Sequence, residues 1–510
     1  MRWIEIGIAT PTSIPIPISI PTSGIVRSPK QHQITQDCFQ PGRFLVLLPH
    51  CAMAHLYISA AHKSSGKTTV SIGLCRELVR RGASVRPFKK GPDYIDPIWL
   101  GQASGRACLN LDFHTMDQEE ISGGFAHGLS DVDVGLIEGN VGLFDAVDLH
   151  GTNSNAALAK LLRAPVILVL DVRGMGRGIV PLLRGYSAFD PALNITGIIA
   201  NKVGSSRHET NLRRVLEHYT DLPLLGALHR TPEIRISERH LGLIPSNETE
   251  AAEDQIECIR AQVAGQVDVP RILEIARSAP PPPAVPTEDQ PASTTLEKVR
   301  IAVARDAAFG FYYPDDLAAL ARAGAELVDF SPVRDAALPD ADGLFIGGGF
   351  PEFCLCELSE NRPMRAAVRD FVESGGIVYA ECGGLMYLCR ELRWGDRRGA
   401  MCGVLNADVA MYERPQGRGY VRLRETPAFP WPRVSEIPRE IMAHEFHHSA
   451  VLNPDPAWTF GYQVLRGRGI DGRHDAIVHK NLVAAYSHLR AVGGNDWTGR
   501  FVAQIRACRR

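Results

Sequence analysis

The chain has 510 residues, 45% of them hydrophobic and 22% charged, the balance of a globular protein long enough for several domains. Its 55 Lys and Arg against 57 Asp and Glu leave a formal net charge of −2, which excludes a polybasic protein built to coat nucleic acid or an anionic membrane surface. Eleven cysteines, odd in number and scattered without a CxxC pair, exclude a disulfide framework and fit reduced thiols in a cytoplasm.

The first segment, residues 1–52, contains IATPTSIPIPISIPTSG, in which Ile alternates with Pro, Ser and Thr. Proline at that density denies both a helix and a central strand. Glu5 near the start and the interrupting prolines do not make a signal peptide. The apolar run 44–60 is broken by Pro49, His50 and His55, so no membrane-spanning helix is expected. Met53 directly precedes AHLYISA, the first strand-like run. Residues 1–52 therefore read as a disordered extension, with the functional protein beginning near Met53.

Beyond Met53 the rhythm is strand, glycine-rich turn, helix. AHLYISA leads into KSSGKTTVSIGLCRELVRRG, and VGLIEG and PVILVLD follow. Short β-branched runs alternating with helices of this length predict buried parallel sheets and an α/β fold. The run APPPPAVPTEDQPASTT, residues 279–295, is a semi-rigid linker. It separates two α/β domains, 53–278 and 296–510.

In the first domain, Ala61–Thr69 (AHKSSGKTT) follows a strand and opens an amphipathic helix. It is a phosphate-binding loop in which Ala61 stands at the first glycine position. Backbone N–H groups around Ser65, Gly66, Lys67 and Thr68 would cradle the phosphates of ATP at a helix N-terminus. Lys67 would neutralise the β/γ charge, and Thr68 would reach Mg²⁺. Asp93 and Asp96 in KKGPDYIDP, Glu138 closing GLIEG and Asp145 ending GLFD supply the hard oxygens that Mg²⁺ prefers, or else cap turns. Glu138 is the best placed. Asn201, ending ITGIIANK, offers an amide to an adenine edge or caps a turn.

In the second domain, Cys382 stands between the apolar run GGIVYAE and a helix that opens at Gly383. A strained turn there exposes the thiol, and the helix N-terminus favours its thiolate. His488 in LVAAYSHLR follows an apolar strand and is the candidate base. No residue to orient it is evident, since Leu489 and Arg490 come next. Gly347-Gly348-Gly349 after GLFI brings backbone donors to an oxyanion, for which Gly349 and Gly383 are the candidates. The chemistry is acyl transfer through a thioester. His444-Glu445-Phe446-His447-His448 matches HExxH, but no later glutamate and no HxxGxxH extension accompany it, so no zinc site is expected.

Taken together, KKGPDYIDP, EGNVGLFDA, NKVGS, ARDAAFGFYYPDDL, GGGFPE, AECGGLMYL, AHEFHHS and AAYSHL resemble the cobyrinic acid a,c-diamide synthase family from about Met53 to the C-terminus. The resemblance implies a dethiobiotin-synthetase-like P-loop domain joined to a flavodoxin-like class I glutamine amidotransferase domain. It implies that Lys67 and Thr68 hold ATP and Mg²⁺. Asp93, Asp96, Glu138 and Asp145 would serve metal, acyl-phosphate intermediate or substrate, and Asn201 would meet adenine. Cys382 would attack glutamine with His488 as its base, and the released ammonia would pass to the other domain. Partners would then be small molecules (a tetrapyrrole carboxylate, L-glutamine, ATP), with neither nucleic acid nor membrane; an oligomer stays compatible.

Several segments depart from the family's usual pattern: His62 and Lys63 in the phosphate loop, Ala146 after GLFD, Asn110–His114 and Pro415–Arg418. These bring the chain closer to a sirohaem amidase branch linked to sulfur oxidation, and a nickel-sirohydrochlorin diamide synthase is a further cousin. Cobyric acid synthase fits less well, because GNVGLFD stands where that enzyme has a glycine-serine-proline run.

Overall fold

The strand–turn–helix rhythm after Met53 builds a seven-stranded sheet. Its strands are β1 (Ala54–Ala60), β2 (Val85–Lys90), β3 (Leu109–Leu111), β4 (Val134–Glu138), β5 (Val166–Asp171), β6 (Ile195–Val203) and β7 (Leu224–His229). This computed structural model describes residues 53–234, 236, 238–239, 242–248, 251–283, 297–432 and 440–509; the expected extension 1–52 and most of the proline linker lie outside the described residues. The strand order is β3-β2-β4-β1-β5-β6-β7, and every pairing is parallel. All seven residues of β1 are buried, as both-face coverage by helices requires. The central β1 feeds the phosphate loop and then α1 (Lys67–Arg80), which packs on the helix Ala252–Gln266. The strands flanking β1 belong to different connections, so the carboxyl end of β1 is the switch point where an α/β sheet binds ligands.

The second sheet has nine strands. Its first five in spatial order are Ala325–Phe330, Val299–Ala304, Gly343–Ile346, Ile377–Glu381 and Leu482–Ala485. They are mutually parallel, and by chain order they run 2-1-3-4-5, the flavodoxin-like arrangement. Four antiparallel strands extend this sheet: His474–His479, Thr459–Arg466, Gly417–Glu425 and Glu440–His447. One face carries Tyr379, Trp431, Trp497 and Phe501 in a buried aromatic cluster, and the other packs Met364, Leu385 and Leu388. Among the described residues no helix is long and apolar enough to cross a membrane.

The two sheets meet through a polar seam. Arg490, 1% exposed, donates to Asn110 O at 3.2 Å, pairs with Asp315 and lies over the Tyr313 ring. Tyr420 donates to Asp112 at 2.8 Å and stacks on His114 at 4.2 Å. Asn110 in turn donates to the carbonyls of Gly91 and Asp93, fixing the loop that carries Asp93 and leads into the helix bearing Asp96.

Candidate active sites

The phosphate loop reaches α1 through Gly66, which caps the helix at φ +94. A side chain there would strike the Asn201 amide, with a Cβ only 2.0 Å from its nitrogen, so glycine is required by close approach as well as by φ. Asn201 Nδ2 donates to Ser65 O at 2.8 Å and its Oδ1 accepts from the Lys202 N–H. Lys202, itself at φ +62, donates to Ser64 O and to Asp171. The end of β6 thus ties down the loop, and both atoms of the Asn201 amide are engaged by the chain.

Lys67 is buried and donates to Val141 O at 2.8 Å. Thr68 donates to Glu138 Oε1 at 2.8 Å. The parallel register sets Lys89 on β2 beside Glu138 on β4, and their side chains pair at 2.7 Å. Lys89 also pairs with Asp96 in the first turn of the helix Ile95–Ser104, and reaches Asp93 at 3.9 Å. Asp145 lies in a loop, where it accepts from Gly142 N at 2.8 Å. Glu138, Asp93, Asp96, Lys67 and Thr68 therefore share one site, to which Lys89 is an addition the sequence reading missed.

Glu138 fits a divalent cation. Its Oε2 is buried and accepts no hydrogen bond, while Thr68 lies against the other oxygen. Burial of a lone acceptor is costly unless a partner arrives, and Mg²⁺ is ordinarily held by one or two carboxylates together with phosphate oxygens.

On the other sheet, Ile377–Glu381 and Leu482–Ala485 run parallel with Glu381 opposite Ala485, so Cys382 and His488 emerge at the same end. Cys382 has φ +47 and ψ −97 and caps the helix Gly383–Leu388, a strained conformation for a side-chain-bearing residue. The His488 ring interacts with the Cys382 thiol. Burial opposes charge on His488, but Cys382 and Glu381 outweigh it and push its pKa up to about 10. Its Nδ1 lies 3.2 Å from Glu381 Oε2.

The glycines of GGG are packing requirements. A Cβ at Gly348 would sit 2.6 Å from the His488 ring, and one at Gly349 would sit 2.1 Å from Ala308 O. The Gly383 backbone lies against Gly349, where a Cβ would meet Gly349 N at 3.1 Å. The two candidate oxyanion donors are thus neighbours beside the nucleophile. The HEFHH stretch lies on and just past the strand Glu440–His447 instead of on a helix. There His444 stacks on His488 at 4.9 Å, and Glu445 accepts from the backbone of Arg468 and Gly469.

A cavity of about 300 Å³ is lined by residues of both sites, among them Asp93 and His488. Lys90, Asp93, Tyr94 and Asn140 line it from the first sheet, and Arg418, His444 and His488 from the second. Tyr94 stands between the acid cluster and the base, with its ring 5.2 Å from that of His488.

Comparison with known proteins places a CobB/CobQ-like glutamine amidotransferase domain at residues 300–495 and a CobQ/CobB/MinD/ParA nucleotide binding domain at residues 58–244. A cobyrinate a,c-diamide synthase of Magnetococcus marinus is 44% identical over 448 residues, covering 87% of this chain and 95% of that protein. One of Archaeoglobus fulgidus is 39% identical over 447 residues, with 87% and 96% covered. Among solved structures, PurLQS from Thermotoga maritima aligns with a TM-score of 0.32 at 16% identity, over 42% of this chain and 99% of that one.

Proposed function

Because this chain belongs to the family of cobyrinate a,c-diamide synthases, we propose that it converts the a and c carboxylates of cobyrinic acid to amides, with ATP as the activator and glutamine as the nitrogen source. The observation that carries this reading is the cavity, whose lining includes His488 from the one site and Asp93 and Lys90 from the other. On this reading residues 53–278 form the synthase, 279–295 the linker and 296–510 the glutaminase.

Cys382 attacks the glutamine amide carbon as a thiolate, and the backbone N–H groups of Gly349 and Gly383 receive the oxyanion. His488 gives its proton to the departing nitrogen. Water, deprotonated by His488, then cleaves the thioester to glutamate. Ammonia crosses the cavity past Tyr94. In the synthase, a substrate carboxylate oxygen attacks the γ-phosphorus of ATP, releasing ADP and leaving an acyl phosphate. Ammonia attacks the acyl carbon and inorganic phosphate departs. Lys67, Lys89 and the loop amides stabilise the charge that moves during phosphoryl transfer. Thr68 and Glu138 would hold Mg²⁺, which supplies further neutralisation of the phosphates. Asn201 orders the loop and would meet the adenine edge. The free thiols among the described residues fit a cytoplasmic setting.

One observation favours a second substrate. Two of the segments that depart from the family pattern lie near the seam: Asp112 and His114 meet Tyr420, two residues beyond Pro415–Arg418, and Arg418 lines the cavity. Sirohaem is the alternative tetrapyrrole. The test is incubation of the purified chain with ATP, Mg²⁺ and glutamine, and with either cobyrinic acid or sirohaem, followed by mass analysis. Two carboxylate-to-amide conversions on cobyrinic acid are expected. Conversion of sirohaem alone would overturn the corrinoid reading, and conversion of neither would overturn both.

A further inference from the structure

We infer that Glu381, the residue immediately before the nucleophile, orients the His488 base and in the same act holds the strained elbow of Cys382. This rests on the reading of Cys382 and His488 as the glutaminase pair.

The sequence leaves His488 without a partner, since Leu489 and Arg490 follow it and Arg490 turns away to Asp315. Glu381 fills the place from another strand. It is 2% exposed, and both its oxygens are used. Oε2 faces His488 Nδ1 at 3.2 Å, while Oε1 accepts from Tyr379 OH at 2.6 Å and from the Leu489 N–H at 3.0 Å. Other groups facing His488 are Cys382, His444 and Tyr94, none of them a carboxylate. Burial and the neighbouring His488 hold His444 far below the ordinary histidine range, and burial holds the Tyr94 phenol up, so both are neutral. Glu381 is therefore the carboxylate among these that can take the Nδ1 proton bond and leave Nε2 for the thiol.

Its position next to Cys382 adds a second consequence. A residue at φ +47 needs surroundings that over-determine it. The Cys382 N–H donates to Ala485 O at 2.7 Å, and the preceding side chain is clamped to the backbone of Leu489. The two strand ends that carry nucleophile and base are thus stapled by one carboxylate.

The test is Glu381→Gln. With its carbonyl oxygen retained by Tyr379 and Leu489, the amide turns an NH₂ group toward Nδ1. Neutral His488 then carries its proton on Nε2 and cannot accept one from the thiol. Glutamine-dependent kcat is expected to fall on the order of 10³- to 10⁴-fold, the scale of a reversed tautomer, while synthesis from free ammonia persists and reports an intact fold. Alkylation of Cys382 by iodoacetamide at neutral pH should slow by about tenfold or more in the variant, because the cation that favours the thiolate is lost. Unchanged glutamine-dependent kcat, or an unchanged alkylation rate beside normal ammonia-dependent synthesis, overturns the inference. Cys382→Ser tests the underlying pair separately: retained glutamine use there would remove the pair itself.

Discussion

Lys67 and Lys89 occupy one site and are driven in opposite directions. Burial, reinforced by the like charge of Lys89, lowers the Lys67 pKa to about 8. Burial also opposes charge on Lys89, but Asp96 and Glu138 overcome it and keep that ammonium protonated far up the scale. The sign for nucleotide binding follows. Below pH ~8 Lys67 carries the charge that ATP phosphates require; above it the free protein must first gain a proton, which weakens affinity by up to about tenfold per pH unit. Titration calorimetry with ATP across this range should show affinity falling as pH rises, and Lys67→Met should bind weakly with a flat profile. A flat profile in the parent protein would remove Lys67 from the phosphate site. Lys67 and Thr68 were legible because one contiguous loop carries them. Lys89 and Glu381 were not, because each meets its partner through pairing between strands distant in the chain.

At the scale of elements, the helix Gly383–Leu388 can begin where it does because it abuts the strand Gly343–Ile346 without side chains at the contact. A Cβ at Gly384 would lie 2.1 Å from Ile346 O, a backbone atom that cannot step aside. Gly384→Ala is therefore expected to push the helix off the strand at a cost of about 1–3 kcal/mol. Displacement of Cys382 by even about 1 Å can lower glutaminase turnover on the order of 10²-fold. Synthesis from free ammonia should stay near the parent rate, so a steady-state comparison of the two nitrogen sources checks the prediction. The central parallel strands of both sheets were legible as continuous apolar runs, but Val85–Lys90 and Ala325–Phe330, which carry charged residues within them, were not. Nor was the antiparallel extension. Gly417–Glu425 places Arg418, Arg422 and Arg424 at exposed positions between buried ones, and Glu440–His447 buries the polar His444, Glu445 and His447. Half-buried strands lack the apolar run that announces a buried one.

At the scale of the whole molecule, two chemistries must share one ammonia, and the seam decides how much of it is captured. Arg490 stands two residues after the base, buried, and grips Asn110 O and Thr115 across the seam as well as Asp315. It stands close in the chain to His488, which meets the Tyr94 ring and lines the cavity. Arg490→Met would leave those acceptors without a donor. Breaking a buried pair costs about 3–5 kcal/mol, and less here because the Asp315 side chain keeps 29% exposure. The catalytic pair itself, held by Glu381 from within its own sheet, should continue to hydrolyse glutamine. Ammonia should instead escape at the loosened seam, so glutamine consumed per amide formed rises above the parent ratio. Asp315→Asn in the same chain should recover part of the lost thermal stability without restoring the ratio. Parallel assays of glutamate and amide check both statements. A lowered melting temperature with an unchanged ratio would reduce Arg490 to packing and move the seal elsewhere along the cavity.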